Sequence, residues 1–210
     1  LSGNSALRFG GGVANVYTDP NIANCIIRDN LALAGGAQIH NDRASPLVHC
    51  SNIAGSGGSG AWNVQCGIDG GGNIDADPLF ADAAGADWIL GSADDDLRLP
   101  ADSPCVDAGD SGQLAYGTMD MGQRLRHVSR DYVPDCNELF PIIDIGAYEY
   151  ACEGNLDMFA GITLADFAAL SRCVLNASCA EIGADLNGDG DVNMDDFFIL
   201  AANWLCGIKP

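Results

Sequence analysis

An imperfect repeat near the N-terminus constrains the fold of this chain more than any other feature. The pair Gly11–Gly12 recurs 24 residues later as Gly35–Gly36, and the segment Pro20–Cys25 has an echo in Pro46–Cys50. Short strand-like runs lie between these points, separated by Gly, Asn, Asp and Pro. Because each run is too short to bury a core alone, successive repeats must pack on one another.

A repeat of this length predicts the turns of a parallel β-helix, in which equivalent residues of successive turns stack in columns. Like polar side chains can hydrogen-bond along such a column. We expect an inward column of Cys25, Cys50 and Ile74, and beside it a polar column of Asn24, His49 and Asn73. The alternative is a β-sandwich with two chance similarities.

Four later segments carry a family resemblance: Gly71–Phe80, Asp96–Leu99, Ser103–Asp110 and Ile143–Tyr150. Together they resemble the terminal module of right-handed parallel β-helix proteins, which occur among secreted bacterial polysaccharide lyases and surface proteins. The resemblance implies a first domain, residues 1–150, made of the last turns and cap of such a helix. It implies little about activity, because that family includes enzymes and adhesins.

The most specific chemistry lies in the twelve-residue segment Asp185–Asp196. Oxygen-bearing side chains stand at positions 1, 3, 5, 9 and 12, a backbone carbonyl is available at position 7, and Gly190 allows a sharp bend at position 6. Such an array suits Ca²⁺, a hard cation that takes six to eight oxygen ligands. The predicted metal ligands are Asp185, Asn187, Asp189, Asp191, Asn193 and Asp196. The alternative is an acidic turn that binds no metal.

A second copy of this pattern appears thirty residues earlier. The segment Asn155–Asp166 keeps oxygen donors at positions 1, 3, 9 and 12, but it has Phe159 at position 5 and Ala160 at position 6. Losing a carboxylate and the bend glycine weakens a calcium loop. We therefore expect one strong site and one degenerate site, each followed by a helix with an apolar face.

Paired loop–helix copies after a secreted domain resemble a dockerin, a module with two calcium loops that docks onto cohesin domains. The resemblance covers about Cys152 to Cys206 and implies a second domain, residues 151–210. It also implies a cohesin-like or other extracellular protein partner. Cellulosomal members use Ser-Thr at loop positions 10 and 11, where this chain has Leu164–Ala165 and Met194–Asp195. A cellulosomal cohesin is therefore not the expected partner, and the alternatives are docking against the β-helix of the same chain or onto another partner.

Charge and cysteine content narrow the functional classes further. The net charge of −20 would repel a nucleic-acid backbone, and no stretch is long and apolar enough for a membrane span. Nine cysteines favour an oxidising compartment and leave at least one unpaired. The chain starts without a methionine or a signal sequence, so we expect a C-terminal piece of an exported or cell-surface protein. Candidate disulfides are Cys173–Cys179 and Cys152–Cys206, although the sequence does not determine their connectivity.

Motifs for catalysis lack the partners they need. Ser111 stands in a Gly-Asp-Ser-Gly motif, but no histidine has a matching context, and a turn is expected there. The cluster of His40, Asp42 and Arg43 is expected to be solvated surface. The visible chain thus presents no catalytic constellation, which leaves open whether its parent protein is an enzyme.

Three functions remain from the sequence. The first is attachment, in which the calcium module holds a non-catalytic β-helix on a scaffold, a cell surface or an extracellular assembly. The second is the C-terminal part of a β-helix polysaccharide lyase or hydrolase whose active site lies upstream, with polysaccharide as the ligand. The third is a structural subunit of an extracellular filament or surface layer.

Overall fold

A computed structural model of the chain falls into two compact units, divided between Glu149 and Tyr150. Each unit has a hydrophobic core of its own. The residues that the structure describes are 1–115, 118–122, 126, 143–150, 156, 162–174, 184–187 and 189–204.

The described part of the first unit is built from nine short strands, each of two to four residues. Gly, Asn and Asp separate them, so each strand ends after a few residues. The strands are β1 Ser5–Ala6, β2 Val13–Val16, β3 Asn21–Ala23, β4 Ile26–Ile27, β5 Leu31–Ala32, β6 Ile39–Asp42, β7 Leu47–His49, β8 Asn52–Ile53 and β9 Ile68–Asp69. Two 3-10 helices, Val64–Cys66 and Ser111–Gln113, complete this unit.

These strands form four small parallel sheets, and none of the sheets closes on itself. The pairs are β1–β5, β2–β6 and β4–β8, and the fourth sheet has the order β3–β7–β9. The prediction of right-handed parallel β-helix turns and a cap is therefore wrong. The chain is mainly β with little α, but its strands of two to four residues stop before a continuous sheet can form.

Paired residues are 26 positions apart in four of the strand pairs but 21 apart between β7 and β9, so the spacing is not the regular repeat that the sequence indicates. Val13 pairs with Ile39, and Gly10 and Gly36 share a left-handed backbone with φ of 69° and 64°. The predicted columns are wrong for this reason. Ile74 instead bridges Asn52, which pairs with Ile26 in the same sheet.

The first unit has a buried apolar cluster and, on neighbouring segments, hydrogen-bonded pairs of asparagines. Two asparagine pairs are hydrogen-bonded across neighbouring segments: Asn4 Nδ2 donates to Asn30 Oδ1 at 2.9 Å, and Asn15 Nδ2 donates to Asn41 Oδ1 at 2.8 Å. Asparagines of neighbouring segments are thus hydrogen-bonded to one another, but at positions other than the predicted column of Asn24, His49 and Asn73. The buried apolar cluster consists of Ile22, Ile27, Ile39, Val48, Ile53 and Cys66.

The second unit contains two helices, α1 Leu164–Val174 and α2 Met194–Ala202. Each presents an apolar face, and the rings of Phe167 and Phe197 meet edge to face, 5.4 Å apart. The buried cluster beneath them consists of Leu156, Ile162, Leu170, Cys173, Ala184 and Leu200. Within the described residues, no helix combines the length and the apolar character needed to cross a bilayer.

Candidate calcium loops and buried polar clusters

The second loop is held to its helix by one buried carboxylate, that of Asp196. Its Oδ1 accepts the backbone N–H groups of Leu186 at 2.7 Å and Asn187 at 3.2 Å, and its Oδ2 accepts that of Asn193 at 2.7 Å. Asn193 in turn caps α2, since its Oδ1 accepts the N–H of Asp195 at 2.7 Å. Burial acts to raise the pKa of Asp196, but the backbone N–H groups that donate to the carboxylate prevail and lower the pKa.

The first loop repeats this arrangement at the equivalent positions. Asp166 is fully buried, and it accepts the N–H of Leu156 at 2.7 Å and that of Thr163 at 2.8 Å. In both loops, Oδ1 of the aspartate accepts the N–H of loop position 2 and Oδ2 accepts the N–H of loop position 9. Positions 1 and 3–7 of this loop lie outside the described residues, so the predicted degenerate ion site there stays a prediction.

Three of the predicted calcium ligands converge at the turn of the second loop. The carboxylate of Asp185 accepts the N–H groups of Asp189 at 3.2 Å and Gly190 at 2.8 Å. Asn187 Nδ2 donates to Asp189 Oδ2 at 2.8 Å, and Asp189 Oδ1 accepts the N–H of Asp191 at 2.9 Å. Gly190 has a φ of 95°, a left-handed conformation that suits glycine at a sharp bend.

The predicted ligands thus form two groups, one at the turn and one at the start of α2. Asp191 joins the turn through its backbone, whereas Asn193 and Asp196 cap the helix. In the described part of the chain, the acids of this loop do not bring three ligand atoms within 4.8 Å of one another. The atoms that these residues offer to a metal are all oxygens. The Oδ2 of Asp196 accepts a single N–H group, that of Asn193, so it keeps a lone pair for a hard cation. The chemistry of the loop therefore fits Ca²⁺.

A compact group of metal-ligand residues that sequence reasoning missed lies in the first unit. His49 Nδ1 stands 3.5 Å from Asp110 Oδ2, and ligand atoms of His49, Cys50 and Asp110 all lie within 4.8 Å of one another. All three residues are buried. Asp110 is oriented by Asn24, whose Oδ1 accepts its N–H at 2.6 Å, and by Gln113, whose Nε2 donates to its Oδ2 at 3.0 Å.

The cysteines have divided roles. Cys50 and Cys173 are disulfide-bonded, and their partners lie outside the described residues, as do Cys152, Cys179 and Cys206 of the predicted pairings. Three others are free thiols, and burial raises the pKa of each, which keeps the thiolate nucleophile scarce. These free cysteines are Cys25, Cys66 and Cys105.

A second buried polar cluster surrounds Glu149, which is only 3% exposed. Burial raises the pKa of Glu149 to about 11, the nearby charge of Asp144 adds to this, and Arg126 opposes it. Arg126 Nε lies 3.5 Å from Glu149 Oε2, while its Nη1 donates to the carbonyl of Gly146 at 2.6 Å. Glu149 Oε1 has no hydrogen-bond partner among the described residues. The raised pKa favours the protonated, neutral form of Glu149 at physiological pH.

The motifs expected to be non-catalytic take structural positions. Ser111 begins a 3-10 helix whose N-cap is Asp110, and the ring of His40 stacks on Phe9 with centroids 4.4 Å apart. Arg43 lies over the ring of Tyr17 at 4.9 Å. Comparison with family models, curated proteins and solved structures gives no significant match to the chain.

Proposed function

We propose that the second unit is a calcium-ordered attachment module that joins the mainly β unit to an extracellular protein partner. The observation that supports it is the shared geometry of Asp166 and Asp196, thirty residues apart. Each is a buried carboxylate that gathers the N–H groups of its own loop at the start of a helix. Two equivalent loop–helix units of this kind are typical of paired calcium modules.

The residues of the chain prepare the loop for a cation. Asp185, Asn187 and Asp189 hold the turn, Asp191 supplies a backbone carbonyl, and Asn193 with Asp196 fixes the first turn of α2. Calcium, when bound, supplies a double positive charge among these acids. Its binding stabilises the folded unit, because the unfolded chain has no preformed site.

A partner-facing surface lies between the two helices. An apolar groove of about 300 Å³ separates α1 from α2, and Leu164 and Trp204 on its walls are 73% and 40% exposed. Contiguous exposed apolar surface marks sites of protein interaction. The groove is lined by Leu164, Phe167, Phe197, Leu200, Ala201 and Trp204. A cohesin-like or other extracellular protein is the proposed occupant, and polysaccharide is a second class of partner for the parent protein.

Location outside the cell follows from the same proposal. Two of the described cysteines are in disulfides, which persist in secreted and cell-surface proteins. Nucleic acid is an unsuitable partner, because the net charge of −20 repels its phosphate backbone.

Asp189→Asn is expected to weaken calcium binding at least tenfold, because it removes one anionic ligand from the turn. Isothermal titration of Ca²⁺ into the full chain measures this. The matched control is Asp195→Asn, which removes the same charge from a residue of the loop that is not a predicted ligand. Wild-type protein that gives no binding heat, or equal losses in both variants, would contradict the calcium site.

Trp204→Ala is expected to abolish calcium-dependent capture of the partner, because it removes one wall of the groove. Immobilised full chain is incubated with a cell-surface extract in Ca²⁺ or in EGTA, and retained proteins are compared. Trp88→Ala is the control, since Trp88 is 87% exposed and lies in the first unit. Capture that persists in EGTA, or that survives Trp204→Ala, would argue against attachment through this groove.

A further inference from the structure

A groove in the first unit is lined by side chains of mixed polarity. It has a volume of about 750 Å³ and lies between β6 and the segment that contains the 3-10 helix Val64–Cys66 and β9. Clefts of this size hold small ligands. The lining includes apolar Trp62, Val64 and Ile68 and polar His40, Gln65 and Asp69.

The two walls of this groove are fixed by hydrogen bonds within the chain. Asn41 Nδ2, on β6, donates to the carbonyl of Gln65 at 2.9 Å and so joins one wall to the other. Trp62 Nε1 donates to the carbonyl of Gly67 at 2.9 Å, and Trp62 packs against the buried apolar cluster. A groove that is already formed loses little conformational entropy when a ligand binds.

The contact between the walls argues against an added β-strand as the occupant. Among the described strands, β6 pairs only with β2, so its other edge has no strand beside it. A strand added there would lie about 4.8 Å from β6. The hydrogen bond from Asn41 to Gln65 crosses that edge and holds the 3-10 helix against it. The groove therefore suits a compact ligand better than an extended peptide.

The carboxylate of Asp69 gives the groove a negative charge. Its Oδ1 accepts the N–H of Gly71 at 3.0 Å, and the side chains of Ser59 and Asn73 donate to it at 2.8 Å each. Burial acts to raise the pKa of Asp69, but these hydrogen bonds prevail and lower it, so the carboxylate is ionised at neutral pH. Its Oδ2 accepts no hydrogen bond from the described residues, so it can accept one from a ligand.

Charge in the groove selects against anionic ligands. Among the described residues that line it there is no lysine or arginine. A phosphate, a sulfate or the carboxylate of a uronic acid would therefore meet the charge of Asp69 without a cation to pair with.

The lining matches the two kinds of surface that a sugar ring presents. A pyranose carries hydroxyl groups around its rim and C–H groups on its faces. Gln65 is exposed and offers both a donor and an acceptor to hydroxyl groups, and Asp69 Oδ2 offers an acceptor. Val64 and Ile68 are 81% and 54% exposed, so their apolar surface is available to a C–H face.

We propose that this groove binds an uncharged oligosaccharide, with Gln65 and Asp69 bonded to its hydroxyl groups and Val64 and Ile68 against its ring faces. This inference rests on the proposed function only for the polysaccharide partner named there. The groove belongs to the first unit, whereas the calcium loops belong to the second, so either proposal can fail alone.

The test titrates neutral hexasaccharides of glucose, xylose, mannose and N-acetylglucosamine into the full chain in EGTA. The chain has three tryptophans, and Trp88→Phe with Trp204→Phe leaves Trp62 as the only one. At least one of the sugars is expected to change the fluorescence of Trp62 saturably, with a Kd of about 1 mM or tighter. Hexagalacturonic acid is expected to bind at least tenfold more weakly. Because EGTA removes calcium, the result does not depend on the calcium module.

Variants decide whether the sugar lies in this groove. Val64→Ala and Gln65→Ala are each expected to weaken binding at least fivefold, because each removes an exposed side chain from the wall. Val16→Ala is the matched control, since Val16 is an exposed valine of β2 that does not line the groove. Neither groove variant removes a side chain of the buried cluster. The proposal is overturned if no neutral sugar binds, if hexagalacturonic acid binds as tightly, or if both groove variants bind as the control does.

Discussion

Asp196→Ala is expected to lower the free energy of unfolding of the second unit by about 2–4 kcal/mol, because three backbone N–H groups lose a charged acceptor. The measurement is urea denaturation with calcium chelated, followed by far-ultraviolet circular dichroism. Both described α-helices lie in this unit, so the helical signal reports on it.

The matched control is Asp195→Ala, which removes a neighbouring acid from the same first turn of α2. Asp195 is exposed, so its loss is expected to change the free energy of unfolding by less than about 0.5 kcal/mol.

Because the pKa of Asp196 is lowered in the folded state, the contribution of Asp196 to the free energy of unfolding is complete above the ordinary pKa of an aspartate. The contribution is lost as pH falls through the folded-state pKa. Equal effects of the two variants at neutral pH would show that Asp196 does not hold the loop.

Glu149→Gln is expected to stabilise the first unit at neutral and alkaline pH. The folded-state pKa of Glu149 is raised to about 11, from an ordinary value of 4.5, so the folded protein keeps a proton that the unfolded chain releases. Between these values the stability of the wild-type protein falls as pH rises, by up to about 1.4 kcal/mol per pH unit from this group. Glutamine has no proton to lose, so the variant should not show this slope.

Thermal melting between pH 5 and pH 9 measures the effect on the first unit. The difference in Tm between Glu149→Gln and the wild-type protein is expected to grow steadily across this range. Asp102→Asn is the control, because it makes the same carboxyl-to-amide replacement at an exposed position. If the two variants follow the wild-type curve in parallel, Glu149 is ionised in the folded protein and the assignment fails.

The fold could be predicted from the sequence only in outline. Short strands with turn residues between them indicated a mainly β first unit, and the structure has this character. The sequence analysis assigned the wrong repeat length, because it aligned glycines that the fold requires for different physical reasons. A Cβ on Gly11 would lie 2.5 Å from the carbonyl oxygen of Leu31, whereas Gly36 is needed for its φ of 64°. The echo of Pro20 in Pro46 has the correct spacing, and the N–H of Leu47 donates to the carbonyl of Pro20.

The sequence by itself determined the hydrogen-bonded turn of the second loop, because the predicted calcium ligands lie within twelve consecutive residues and local backbone geometry brings the turn together. Its thirty-residue repeat also placed Asp166 and Asp196 in equivalent roles. Only the tertiary structure decided which distant residues meet. Asp110 lies beside His49, which belongs to a distant part of the sequence, and Arg126 lies beside Glu149, since burial and strand register set those contacts. Register also decided that the strands form four small open sheets, because it depends on pairing energies summed over segments that no local motif encodes.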